Sequence, residues 1–584
     1  MKPSNFFWFC GVWAYILVAG MLYLLTTYMP LDIPGWTKPV LTWVVPLFLP
    51  ALITYANYQR FKHGHTDFSF EDTFGMSKSD QHATKAWQQA AYPGITGKYL
   101  SDRPKDFVLG KQKNGRKYVC SPLTRDGTNI FLIGGVGSGK SNAIKQIMLS
   151  SLYNNRFLKQ NQKIPRLKFN FFVVDIKGEL FESCCKIDGI YDATDEDNLI
   201  QVIQPSNRRS YGYDVLYRVH KANVTETEII KTASDIAEAL VRESGDNPYF
   251  TDNARKILSG VLIHYIHQDW EFIPIIKMLL RSNLDELLTE IVREAEEDNE
   301  GVVLDKLKGF VGKKDNESLQ DVESTMKTYL DWVSYPDLEY ALFTNPNRTS
   351  PAALDDGITN LDLAIEQDML TAYEPLFRLI TMQVVRHAES WREKDTRNTL
   401  VIIDEAKRIG KIDGLDGAMA TLRSKHVSIL LAFQSMHQFL EIYGEHAAKA
   451  ILGLCELKLF LSGDGDEDTI KYVSTMAGKY TEEKRSYGRD GMIGQKDVKY
   501  NEDTRDIVDA QALMELREKQ EIIAFLFGHY ARFRKLRYWE DPYLGPIAKE
   551  IEKYNSGHEE SGFMITETTP TPENNIKEDE PYGQ

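Results

Sequence analysis

Cysteine is scarce. Cys10, Cys120, Cys184, Cys185 and Cys455 are spread over 584 residues with no Cys-x-x-Cys pair and no Cys/His cluster, which excludes a disulfide scaffold and a zinc site and fits a reducing compartment. Surplus positive charge is also missing. The 69 lysines and arginines face 84 acidic residues, a net charge of −15, so a chain that wraps nucleic acid by bulk charge is excluded and phosphate contact must use local basic patches. Apolar residues are not lacking. At 42% apolar and 26% charged, global disorder is excluded, and the length leaves room for about three to four domains.

Charge of either sign is absent from two stretches near the start. None occurs between Lys2 and Asp32, where residues 6–29 are strongly apolar, and none between Lys38 and Arg60, where residues 39–59 carry Pro46 and Pro50. At ~1.5 Å per residue each run covers a ~30 Å hydrocarbon layer. The first is longer than the 7–15 residues of a signal-peptide core. The pair reads as a helical hairpin with Trp36 and Trp43 near one interface and Lys2, Arg60 and Lys62 at the other, which places both termini in the cytoplasm. The short link leaves no room for a folded external domain.

The segment NIFLIGGVGSGKSNAIKQIML reads as a buried strand, a glycine-rich turn and a helix. It contains G-x-x-x-x-G-K-S. Gly134, Gly135, Gly137, Ser138 and Gly139 let backbone N–H groups approach the phosphates of ATP, Lys140 reaches the β and γ oxygens, and the Ser141 hydroxyl ligates Mg²⁺. Downstream, TLVIIDEAKRIG ends a run of four apolar residues in Asp404 and Glu405. A carboxylate at a strand end holds Mg²⁺, here Asp404, and Glu405 beside it is placed to polarise the attacking water.

Three further apolar runs end at Asp175, Gln434 and Asp464. Strands alternating with helical stretches predict a mainly parallel sheet with ligands at its carboxyl edge, where Gln434 is suited to sense the γ-phosphate or orient water. Between about Val224 and Leu342 the apolar spacing turns helical, with Ile229, Ala233, Ile236, Ala237, Leu240 and Val241 on one face. The expected architecture is α/β, a RecA-like ASCE P-loop ATPase core in two parts, 66–217 and 349–545. An all-α subdomain, 218–348, interrupts it, a two-helix membrane anchor, 1–65, precedes it, and an acidic disordered tail, 546–584, follows.

In the order of these parts the chain resembles the type IV coupling proteins, the TraD/TraG-type ATPases of conjugation and type IV secretion. The likeness rests on the anchor, GGVGSGKS, the DIKGEL segment (Asp175, Lys177, Gly178, Glu179), the helical insert, IIDEAKRIGKIDGLDGAMATLRS and LAFQSMHQFLEIYG. It implies a homo-hexameric ring in the bacterial inner membrane that uses ATP to receive relaxase-bound single-stranded DNA, or protein substrates, and move them to the secretion channel. Lys140 and Ser141 would hold phosphate and Mg²⁺, Asp404 the Mg²⁺, Glu405 would be the base and Gln434 the sensor. Arg423 matches the arginine that reaches a neighbouring subunit's nucleotide, with Arg125 as a second candidate. Ile176 stands where many relatives carry proline, Ala406 where a bulky apolar residue is frequent, and the external loop is short for the family.

Arg156, Lys159, Lys163, Arg166 and Lys168 form a basic run without an acid, which fits a phosphate backbone and a solvated connector equally. The last 28 residues hold seven acids against Lys577, fitting a partner-recruiting or a solubilising tail. Two other functions share much of this pattern: an FtsK/HerA-like double-stranded DNA translocase, and a membrane docking receptor whose nucleotide only sets assembly.

Overall fold

The computed structural model describes residues 90–559 apart from 122–126, 161–168, 177, 181, 188–198, 243–247, 313–316, 358, 366–367, 393–397, 464 and 489–496. Both expected spans, Arg125, Lys177, Asp464 and the final 25 residues lie outside the described residues, as does much of the basic run. Among the described residues no helix is long and apolar enough to cross a membrane.

The chain falls into two units. The larger, Ala91–Lys479 with Arg505–Gln584, is built, among the described residues, on a 13-stranded sheet. Its central strands are β1 (Ile130–Ile133), β2 (Phe169–Asp175), β3 (Asn360–Ala364), β4 (Asn398–Ile403), β5 (Val427–Phe433) and β6 (Leu457–Phe460). They lie side by side in the order β6-β1-β5-β4-β2-β3, every pair parallel. Continuous apolar runs such as VSILLAF suit strands covered on both faces. Along β1 the pleat sends Ile130 and Leu132 into one core and Phe131 and Ile133 into the other.

The sheet is mainly parallel, as the sequence pattern predicts, with an antiparallel flank. Beyond β6 come two antiparallel strands, β7 (Glu521–Leu526) and β8 (His529–Arg534), and then strands Phe107–Lys111, Tyr118–Ser121 and Leu100–Ser101. The β7–β8 turn has two residues, Phe527 and Gly528, both at positive φ, the backbone of a tight hairpin whose twist matches its strands.

Helix α1 (Lys140–Gln160) covers one sheet face. The helices α2 (Glu226–Leu240), α3 (Pro248–His267), α4 (Phe272–Arg281), α5 (Leu284–Asp298), α6 (Gly301–Leu307) and α7 (Glu317–Leu330) follow one another between the second and third central strands. Thr225 opens α2 with a capping box to Glu228, and Ile229, Ala233, Ile236, Ala237 and Leu240 are its buried stripe. Helices α8 (Leu370–Glu389), α9 (Leu415–Leu422) and α10 (Met436–Leu454) fill the same side.

The expected disordered tail begins too early. Helix α11 runs over Leu544–Glu559, and Leu544, Ile547, Ala548 and Ile551 are buried in steps of three and four that seat it against α1. Asn555 Nδ2 donates to the carbonyls of Glu182 and Cys185. The exposed Lys549, Glu550, Glu552 and Lys553 conceal its apolar stripe when only average composition is read.

The smaller unit contains residues 480–504, within a ribbon formed by strands Lys479–Gly488 and Asp497–Asp506.

Candidate nucleotide site

The glycine-rich loop leaves β1 at Ile133 and enters α1 at Lys140. Backbone ties fix its start. Gly134 N–H donates to the Phe433 carbonyl at 3.0 Å and Gly135 N–H to Ser462 Oγ at 3.0 Å, so the strands on either side of β1 both hold it. A Cβ at Gly134 would stand 2.4 Å from Ser138 Oγ, which leaves glycine as the residue that fits. Ser138 Oγ is buried with no hydrogen-bond partner among the described residues.

Lys140 is buried, its ammonium 3.0 Å from Asp404 Oδ1 and 3.8 Å from Glu405 Oε1. The loop and the acidic strand end are therefore one site. Asp404 follows β4 next to β2, its N–H on the Val174 carbonyl, and its Oδ1 also accepts the Glu405 N–H at 3.0 Å. Glu405 has φ 50° and ψ 50°, a left-handed backbone that costs a side-chain-bearing residue about 1–2 kcal/mol. Asp175, at the end of β2, uses Oδ2 to accept the Leu180 N–H at 2.6 Å and so shapes the turn of the DIKGEL segment.

Gln434 directly follows β5. Its side-chain oxygen accepts from Gln438 Nε2 at 3.3 Å, and it lines a cleft of about 910 Å³ together with Glu405 and Glu441. Arg242, from the helical block, and Arg378, from α8, line it too. Arg378 donates Nε and Nη2 to the last carbonyls of α2, those of Ala239 and Leu240. Burial first, and Arg242 next, pull its pKa down to about 9.

Arg423 is not gathered into this site. It sits in the turn before β5, where its carbonyl accepts the Gly127 N–H, and its Nη1 lies 2.7 Å from Glu456 Oε1. Glu456 Oε2 in turn accepts the Asn129 N–H at 2.9 Å, just ahead of β1. Arg423 thus occupies the amino edge of the sheet and Lys140 the carboxyl edge, separated by a strand length of roughly 20 Å for the seven residues of β5.

Two cations at the loop escape sequence reading. Lys535, after β8, donates its ammonium to the carbonyls of Ser138 at 2.8 Å and Leu461 at 3.0 Å. Arg517, in the short helix Leu516–Lys519, reaches the loop at Gly137, where an added Cβ would meet its Nη2 at 2.6 Å. Neither belongs to a local motif. Only the antiparallel wing brings them to the loop, nearly 400 residues away in the chain.

A mainly parallel sheet with a glycine-rich loop, a buried lysine and paired carboxylates at its carboxyl edge defines a P-loop protein of the mixed α/β class. Residues 77–564 match the family described as Type IV secretory system Conjugative DNA transfer, and the chain belongs to that family. It is 21% identical over 340 residues to the type IV secretion system-coupling protein VirD4 of Bartonella henselae, covering 56% of this chain and 52% of that one. It is 24% identical over 316 residues to the conjugal transfer protein TraG of Agrobacterium fabrum, covering 52% and 46%. The chain thus spans about half the length of these relatives. The fold is similar to that of the bacterial conjugative coupling protein TrwB in complex with sulphate, with a TM-score of 0.57 and 16% identity over 77% of this chain and 94% of that one. TrwB has also been solved in complex with ADP and Mg²⁺, at a TM-score of 0.55 to this chain.

Proposed function

We propose that this protein is an inner-membrane coupling ATPase of a type IV secretion or conjugation system, which recruits relaxase-bound single-stranded DNA or protein substrates and drives them to the channel by ATP hydrolysis. The observation that carries this reading is the contact of Lys140 with Asp404 and Glu405, in a chain of the conjugative DNA transfer family. In this reading the body is a RecA-like ASCE core, 66–217 and 349–545, interrupted by an all-α subdomain, 218–348. The segments at 6–29 and 39–59 anchor it in the lipid bilayer with both termini in the cytoplasm.

The residues present fit a nucleoside triphosphate with Mg²⁺. A Cβ at Gly134 would stand 2.4 Å from Ser138 Oγ, and among the described residues the buried Lys140 ammonium is balanced by the two carboxylates that Mg²⁺ and water would engage. Gly134, Gly135, Gly137, Ser138 and Gly139 wrap the phosphates, while Lys140 exchanges Asp404 for the β and γ oxygens. Ser141 and Asp404 would hold Mg²⁺, which supplies charge neutralisation on the phosphates. Glu405 takes a proton from the attacking water as its oxygen bonds to the γ-phosphorus and the bond to ADP breaks. Gln434, on the wall of the same cleft, orients that water.

Arg423, a strand length from its own Lys140, serves the pocket of the next copy in a homo-hexamer. Its guanidinium there offsets charge on the transferring phosphoryl group. Relaxosome proteins and inner-membrane secretion components are the partners this function requires. The test uses the full chain in membranes. Single-stranded DNA is expected to raise ATP turnover more than duplex DNA, and Glu405→Gln to retain ATP binding while abolishing both turnover and transfer. Transfer that persists in Glu405→Gln would favour the docking receptor, and a preference for duplex DNA the double-stranded translocase.

A further inference from the structure

The charge at the phosphate loop does not balance with the residues so far given roles. Lys140 is the one cation among them that reaches the phosphates in its own chain, and it is faced by two carboxylates, Asp404 and Glu405. A triphosphate approaching this trio without Mg²⁺ meets net negative charge, and with Mg²⁺ engaged by Asp404 a single protein cation still faces the phosphate chain. Lys535 adds positive charge beside the loop, but not as a free phosphate ligand. Its ammonium is committed to the carbonyls of Ser138 and Leu461, where it holds the loop in shape.

Arg517 has no such commitment. Its guanidinium rests against Gly137 at the loop, with Nη2 2.6 Å and Cζ 3.2 Å from where a Cβ would stand. Gly137 has φ +73° and no side chain, so the arginine can lie directly on the backbone there. Two nearby cations are paired: Lys519 with Glu515, and Arg532 with Glu521 at 2.8 Å. No carboxylate pairs with Arg517 among the described residues. An exposed guanidinium laid against a phosphate-binding loop without a counter-ion is a ready anion ligand, because its planar fork matches phosphate oxygens.

We propose that Arg517 is a nucleotide-binding residue acting in its own subunit, contributing a second cation to the phosphate chain of the bound nucleoside di- or triphosphate. This rests on the nucleotide reading of the loop given above, and adds to it a ligand from the antiparallel wing. The wing thereby senses whether the loop is occupied, since Arg517 gains its counter-charge only when phosphate arrives.

The experiment measures equilibrium binding of fluorescent ATP and ADP to the full chain in detergent, with thermal denaturation in the presence and absence of each nucleotide. Arg517→Ala is expected to weaken both nucleotides about tenfold, Arg517→Glu further, and Arg517→Lys to recover part of the loss. The deficit should shrink as salt is raised, because the lost contact is partly exposed. Without nucleotide, Arg517→Ala should melt with the parent, whereas nucleotide-induced stabilisation falls. A merely structural role would lower the nucleotide-free melting temperature instead, and would overturn the proposal. Lys140→Ala is the companion variant. Binding lost in Lys140→Ala but within twofold of the parent in Arg517→Ala overturns the role of Arg517 alone. Binding unchanged in Lys140→Ala overturns the nucleotide reading of the loop itself.

Discussion

The Lys140 ammonium lies 3.0 Å from Asp404 Oδ1, with both side chains almost wholly buried. Removing one partner of such a pair leaves an under-compensated charge in a poorly solvated place. Here Glu405, at 3.8 Å, retains part of the compensation. Asp404→Asn is therefore expected to cost about 1–3 kcal/mol in the nucleotide-free protein, at the low side of what broken buried pairs show. Adding Lys140→Met to Asp404→Asn should cost less than the two single changes summed, which urea denaturation of the four variants would read as a coupling energy. Strict additivity would mean that the contact contributes nothing to the resting site.

Glu405 occupies the left-handed backbone region beside Asp404. Alanine inherits that strain and glycine does not, so Glu405→Gly should be more stable than Glu405→Ala by about 1 kcal/mol. Loss of a general base removes on the order of 10²–10⁴ in rate, and both variants should lose turnover alike. Equal denaturation midpoints for the two would show that the strand end relaxes and stores no strain.

How much of this was legible in the sequence follows the distance over which each feature is encoded. The loop from Gly134 to Ser141 and the Asp404–Glu405 pair are local words, each following a strand whose continuous apolar run declares burial on both faces. The helices of the insert were equally readable, because the stripe from Ile229 to Leu240 marks a face, while the Thr225–Glu228 capping box that starts the first of them emerged with the structure. The Phe527–Gly528 turn was a weaker local signal, without the Asn-Gly or Asp-Gly pair that usually announces a hairpin. Arg517, Lys535 and Glu456 carried no signal at all. Their importance depends on contacts spanning hundreds of residues, such as Lys535 with Ser138 and Glu456 with Asn129, and no spacing rule reaches so far.

In the helical block, Glu300 accepts from two histidines on α3, with His264 Nδ1 and His267 Nδ1 each at 2.7 Å. His267 also meets Glu226 at 2.9 Å, and His264 meets Glu294 at 3.2 Å. Burial pushes the His267 pKa down, but the hydrogen bonds and charges of Glu226 and Glu300 outweigh it and leave the pKa raised. A folded-state pKa above the unfolded value of about 6.5 gives stability that is complete below that value and is lost as pH rises through the folded pKa. The parent should therefore melt at a higher temperature near pH 6 than near pH 8.5, by more than His267→Gln does. Identical pH profiles for the two would remove His267 from the linkage.

Arg423 and Glu456 close at 2.7 Å, and through Asn129 this pair touches the start of the strand that carries the phosphate loop. If Arg423 serves the neighbouring pocket, it must leave Glu456 to do so, and the defects of Arg423→Ala and Glu405→Gln belong to different partners of one junction. Each variant alone should lose most turnover, by roughly 10³-fold for the arginine if the effect of such fingers in GTPases is a guide. Mixed assemblies of the two should regain part of it, because an intact pocket on an Arg423→Ala subunit can receive the arginine of a Glu405→Gln neighbour. An arginine working in its own chain predicts no regain at any mixing ratio. Glu456→Gln refines the test: it weakens the hold on Arg423 while keeping a group that can accept the Asn129 N–H, so turnover should rise or stay level. A fall as deep as that of Arg423→Ala would instead make Glu456 part of the support that the arginine needs when it acts.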